Sequence, residues 1–87
     1  MPTADVTKVI EEAIRERVVL RVTYRALDGS EIVNLVEPLA IRFNSAHHRV
    51  LWCFNRDAGH LEELLWDGIE SAVATGEVFE PRPWTEA

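Results

Sequence analysis

The spacing of apolar and polar positions changes once along this chain, near Arg17. Before it, Val6, Val9, Ile10, Ala13 and Ile14 recur every three or four residues, which places them on one apolar helical face. Thr3 or Asp5 can cap the start of that helix. Glu11, Glu12, Arg15, Glu16 and Arg17 fall mainly on its wet side, with Glu11 and Arg15 four residues apart in the favourable order. No Gly or Pro interrupts residues 4–17, so a helix is predicted there. After Arg17 the period becomes two. Leu20, Val22 and Tyr24 share one strand face, and Val19, Arg21, Thr23 and Arg25 share the other. Asp28-Gly29 is a hairpin turn signal, and the return runs through 31–37. Pro38 lacks an N–H, so it is expected to interrupt the ladder. Alternation resumes at Leu39, Ile41 and Phe43, and 44–48 is turn-like. The most apolar strand follows at 50–54. Further strands are expected at 61–66 and 69–74, separated by Asp67-Gly68, with an extended Pro-containing tail at 79–84.

One helix followed by five or six short strands predicts a mainly β domain. The expected form is a small barrel, or a strongly bent antiparallel sheet, capped by the helix. There is no internal repeat, linker or low-complexity segment. The 87 residues suffice for one domain, with a core at about 8–80 and the tail at 81–87.

Charge narrows the function. Fifteen acids against nine bases leave −6, with a pI near 4.9, so the chain has no overall basic footprint for nucleic acid. Eight of the nine bases are Arg, a side chain suited to bidentate carboxylate and phosphate contacts. A single Cys53 excludes an intramolecular disulfide and any multi-cysteine metal site. The apolar runs are shorter than the roughly 18–20 residues of a membrane span. The first residues carry no secretory pattern, and a cytoplasmic location is expected.

The candidate chemistry is sparse. Cys53 lies within the most apolar strand, where a free thiol is usually a small hydrophobe. His47, His48 and His60 fall in turns, and none forms a metal-ligand spacing. Glu11-Glu12 and Glu62-Glu63 point in different directions and read as solvated faces. No catalytic residue, metal site or cofactor is therefore expected. Arg21 and Arg25 share a strand face, while Arg42 and Arg49 flank the turn at 44–48. Together they are the candidate contacts for an anionic ligand; pairing with acids such as Glu31, Glu37 or Glu63 is the commoner fate of such groups. Trp52 reads as core. Trp66 and Trp84, expected to be partly exposed, are the candidate interaction residues.

Four stretches resemble the WYL domain, a small Sm-like (SH3-like) five-stranded barrel of bacterial transcriptional regulators and CRISPR-associated proteins. Ala13-Ile-Arg-Glu-Arg17 followed by Val19–Arg25 is similar to its opening helix and strand. Val36-Glu-Pro-Leu-Ala-Ile41 is similar to its V-E-P-L-G-L string. Val50–Asp57 resembles the strand holding the W-Y-L signature, and Ile69-Glu-Ser with Thr75–Phe79 resembles the closing segment. The signature itself falls on Arg49, Val50 and Leu51, so only the Leu is kept. The resemblance implies an arginine-bearing strand, R-x-F-R-L-D-R-I, that contacts anions and nucleic acid. Here Glu62, Leu65 and Gly68 occupy its basic positions, and Glu62 adds repulsion toward phosphate.

The resemblance implies a stand-alone, non-enzymatic regulatory or sensing domain. It would contact an anionic small molecule or a single-stranded nucleic acid weakly through the surviving arginines. The alternative is a protein-interaction or homodimerisation module that has lost the family's ligand site.

Overall fold

The computed structural model describes residues 2–85; Met1, Glu86 and Ala87, the last two belonging to the expected tail, lie outside them. Helix α1 spans Ala4–Glu16. Thr3 caps it, its hydroxyl accepting from the Val6 N–H at 3.2 Å. Asp5 in the first turn and Arg15 in the last complement the helix dipole. Arg17 ends the helix in the left-handed region at φ 58°, its N–H returning to the Ala13 carbonyl. This turn sends the chain directly into strand β1, Val18–Arg25.

Four more strands follow: β2, Glu31–Phe43; β3, Arg49–Asn55; β4, His60–Leu65; and β5, Ile69–Val78. They form one antiparallel sheet in the order β4-β3-β2-β1-β5, so β4 and β5 are edges and no ladder joins them. The predicted class, a helix followed by a mainly β, strongly bent five-stranded sheet, is the one observed.

Three local expectations change. β2 passes through Pro38 without ending, because the sheet absorbs the missing donor in a bulge between Pro38 and Ala40. β5 runs on to Val78. Its ladder with β1 shifts register opposite Thr23–Tyr24 and again opposite Val18–Leu20, where Gly76 takes φ 86° and the Thr75 hydroxyl donates to the Val19 carbonyl at 2.8 Å. Finally, Trp66–Gly68 is a single 3₁₀ turn rather than a strand end followed by a tight turn.

The core lies between α1 and the inner face of the sheet. Leu20, Val22, Val36, Leu51, Cys53, Leu64, Ile69 and Ala72 pack there against Ile10 and Ala13. Tyr24 fastens the bend. Its hydroxyl accepts from the Leu65 N–H at 3.2 Å, joining the end of β4 to β1 where no strand ladder does. Gly68 fits beneath the same ring: a Cβ there would lie 2.6 Å from Tyr24 Cε1 and 2.7 Å from the Arg25 carbonyl oxygen.

The outer face is covered in part by the tail after β5. Phe79 donates its N–H to the Arg17 carbonyl at 2.9 Å, anchoring the tail to the helix end. The Arg82 guanidinium then lies 4.0 Å from the Phe54 ring centroid, and Trp84 meets Trp52 at 5.9 Å between centroids.

Gly68→Ala should lower stability by about 1–3 kcal/mol, since neither the Tyr24 ring nor the Arg25 backbone can move freely. Urea unfolding followed by Trp fluorescence checks this, with Ala74→Gly on exposed β5 as the mild comparison.

Candidate functional site

The sheet register separates the four candidate arginines. Arg21 stands exposed on the outer face, opposite Leu35 and Val73. Arg25, at the end of β1, is held by carboxylates on both neighbouring strands. Its Nη2 lies 3.1 Å from Glu31 and 3.3 Å from Glu70, and its Nη1 donates to the Gly29 carbonyl at 3.0 Å. Arg42 donates to the Ile41 carbonyl at 3.0 Å. Arg49 is placed differently. Its guanidinium sits 5.8 Å from the Phe43 ring centroid and 5.2 Å from that of Trp66, within cation–π range of both.

Arg49 owes this position to two local features. The tight 44–48 turn is closed by the Asn44 side chain, which accepts from the Ala46 and His48 N–H groups at 3.0 Å, so β3 begins directly beside Phe43. The 3₁₀ turn then folds Trp66 inward until only 6% of it is exposed. The expected partly exposed Trp66 is thus corrected: its ring belongs to the core, and it supports Arg49 from below. Trp84 is half-buried against Trp52, as its tail position suggests.

Two grooves meet at Arg49. One, of about 280 Å³, is lined by Leu27, His48, Arg49, Leu65, Trp66 and Asp67. The other runs past Phe43 to the first turn of α1 at Pro2, Ala4 and Thr7. A third groove, on the Arg25 side, shares Leu27, Leu65 and Asp67. Arg25 and Arg49 therefore approach one ridge from opposite sides, while Arg21 and Arg42 line none of these grooves. Leu27, 93% exposed, and Phe43, 65% exposed, supply apolar surface beside the cation.

The thiol of Cys53 is buried. Burial, and secondarily the Glu62 carboxylate, push its pKa up to about 12, so it holds no thiolate at neutral pH. Among the described residues no group of three His, Cys, Asp or Glu side chains is placed to hold a metal ion. Among the same residues no helix is long and apolar enough to cross a membrane.

The strongest electrostatic cluster involves two arginines that the sequence did not single out. Glu37 is 1% exposed on the outer face of β2. Arg56 Nε donates to its Oε2 at 2.9 Å, Arg82 Nε to its Oε1 at 2.7 Å, and Arg82 Nη2 to Oε2 at 3.1 Å. Arg56 also pairs with Glu77. The Arg82 hydrogen bond, with help from Arg56, holds the Glu37 carboxyl below its ordinary pKa despite burial. The V-E-P string marks Glu37, but nothing local brings it residues 19 and 45 positions away.

The WYL domain family matches residues 5–73 of this chain. The chain belongs to the WYL domain family. Among solved structures, proteasome accessory factor B/C (PafBC) of Arthrobacter aurescens is similar in fold, with a TM-score of 0.77 and 22% sequence identity. That match covers 86% of this chain and 12% of PafBC. No curated protein matches the chain. Arg49, where the sequence resemblance puts the first position of the family signature, is the residue at the meeting of the grooves. Of the three residues that the resemblance sets at basic positions, Glu62 turns its carboxylate inward, Leu65 lines the groove wall and Gly68 is tightly packed.

Glu37→Gln should cost about 1–3 kcal/mol at neutral pH by weakening three charge-assisted hydrogen bonds from two arginines. Because the folded-state pKa is depressed, the carboxylate's contribution is full above the ordinary glutamate value of 4.5 and is lost as pH falls through the folded value. The gap between wild type and Glu37→Gln should therefore close on acidification. Urea midpoints measured across that range check the sign.

Proposed function

We propose that this WYL domain is a non-enzymatic regulatory or sensing module that binds a small carboxylate with an apolar body at Arg49. The observation that carries the reading is the Arg49 guanidinium, held by ring faces at the meeting of two grooves. Ring contacts leave a guanidinium's N–H edge able to donate in its plane, whereas the carboxylates on Arg25 occupy that edge. Leu27, Leu65 and Phe43 offer apolar surface for the rest of such a ligand. Membership of the WYL family supports the regulatory role, and single-stranded nucleic acid is the weaker ligand class.

Phenylacetate should produce saturable NMR shifts at Arg49, His48 and the Trp66 indole. Arg49→Gln should weaken binding about tenfold, and Arg25→Gln should leave it nearly unchanged. Absence of a localised response up to about 10 mM phenylacetate overturns the reading, given that even millimolar binding is worth only about 4 kcal/mol. A short single-stranded oligonucleotide, titrated at low salt, is expected to bind more weakly than the phosphate contacts of a basic domain would allow.

A second reading rests on a separate observation. Val33 and Val73 are both exposed on the outer face of β2 and β5. This face suits a protein partner or a second copy. Light scattering across micromolar concentrations should show a concentration-dependent dimer if the partner is a second copy, and Val73→Lys should abolish it.

A further inference from the structure

A cavity of about 120 Å³ opens on the inner face of the sheet beside the turn joining β3 and β4. Arg49 and Asn55 stand at opposite ends of β3, so this opening is distinct from the Arg49 grooves. Val36 and Leu64 form its buried wall and Ile32 its more exposed rim. Among these apolar groups stand Asn34, Asn55 and Glu62. The turn accounts for both amides. The Asn55 side-chain oxygen accepts from the Asp57 and Ala58 N–H groups at 2.9 and 3.0 Å, and Asn34 Nδ2 donates to Asp57 at 3.2 Å.

The turn does not account for Glu62. Pairing opposite Cys53 places it on the core-facing side of β4, where an apolar side chain would be the ordinary occupant. Its Oε1 accepts from Asn55 Nδ2 at 2.9 Å. A carboxylate has about four acceptor positions, so one amide leaves most of its capacity unused. No cationic side chain lines the cavity among the described residues. The residue paired opposite Glu62, Cys53, is a buried thiol and offers the carboxylate no cationic partner.

We infer that this cavity binds a small organic ammonium ion. The ammonium group donates to the Glu62 carboxylate, and a short branched alkyl body packs against Ile32, Val36 and Leu64. Charge-assisted donation to a half-buried carboxylate is roughly twice as strong as a neutral hydrogen bond. An anion of the same shape is repelled by the same group. The inference does not depend on the Arg49 reading, because the two sites have opposite charge and share no lining residue.

The test uses isobutylammonium, with isobutanol and isobutyrate as neutral and anionic analogues, titrated into the full chain and followed by NMR. Saturable shifts are expected at the Asn55 side-chain amide, Ile32 and Leu64, with the ammonium binding at least about tenfold more tightly than the alcohol. Glu62→Gln should remove that preference while leaving the rest of the spectrum folded. Ile32→Trp, which fills the rim without touching the carboxylate, should block the ammonium as well. Equal responses to ammonium and alcohol overturn the proposal. So does a preference for isobutyrate, or ammonium shifts spread equally over Glu11, Glu12 and the cavity. Unchanged ammonium binding by either variant also overturns it.

Discussion

A buried carboxylate organises the outer half of this domain. An ionised group taken out of water costs several kcal/mol unless it is paired and hydrogen-bonded. Glu37 meets that condition only because three separate segments come together around it. β2 carries the acid, the residue after β3 carries Arg56, and the tail carries Arg82. Arg56 extends the arrangement to β5 through Glu77, linking the β3–β4 turn to the far edge of the sheet. With the tail held this way, Arg82 covers Phe54 and Trp84 covers Trp52. The ion cluster and the apolar contacts therefore form together. Hydrophobic burial alone would not choose this path for the tail, because the pairing geometry selects it.

The inner half obeys a different constraint. Five strands surround a small core without a closing ladder, so side chains must brace edge strand β4 against β1. Tyr24 does this through the Leu65 N–H, and the absence of a side chain at Gly68 lets the ring approach. The result leaves an opening toward each end of β3. At one end the cation Arg49 rests on aromatic rings. At the other the carboxylate Glu62 faces an apolar cavity. A net charge of −6 obscures this division, since most of the acids are solvated or already paired and do not describe either opening.

Much of the fold was legible in the pattern of residues. The change of period at Arg17, the Asp28-Gly29 turn and the alternation through 50–54 placed the helix and strands, because these signals are local. Pro38 misled for a local reason as well: lack of a donor normally ends a ladder, but a bulge in a long strand tolerates it. Trp66 misled for a tertiary reason. A residue beside Asp-Gly at a strand end is usually half-exposed, and only the 3₁₀ turn under Arg49 buries it. The candidate site was partly legible. Arg49 was among the four arginines, but nothing local separated it from Arg25, whose two carboxylate partners lie on different strands.

By itself the sequence determined the class of the domain, its WYL resemblance, its helix cap and the alternation of its strand faces. These follow from backbone propensity and periodicity, which act over a few residues. Only the tertiary structure decided which charges are spent on each other and which face an opening. Arg56 and Arg82 reach Glu37 across 19 and 45 positions, and Glu62 faces a cavity whose other walls come from β1, β2 and β3. Electrostatic partners are set by distance in space, and a sheet that bends brings together residues whose separation along the chain carries no trace of it.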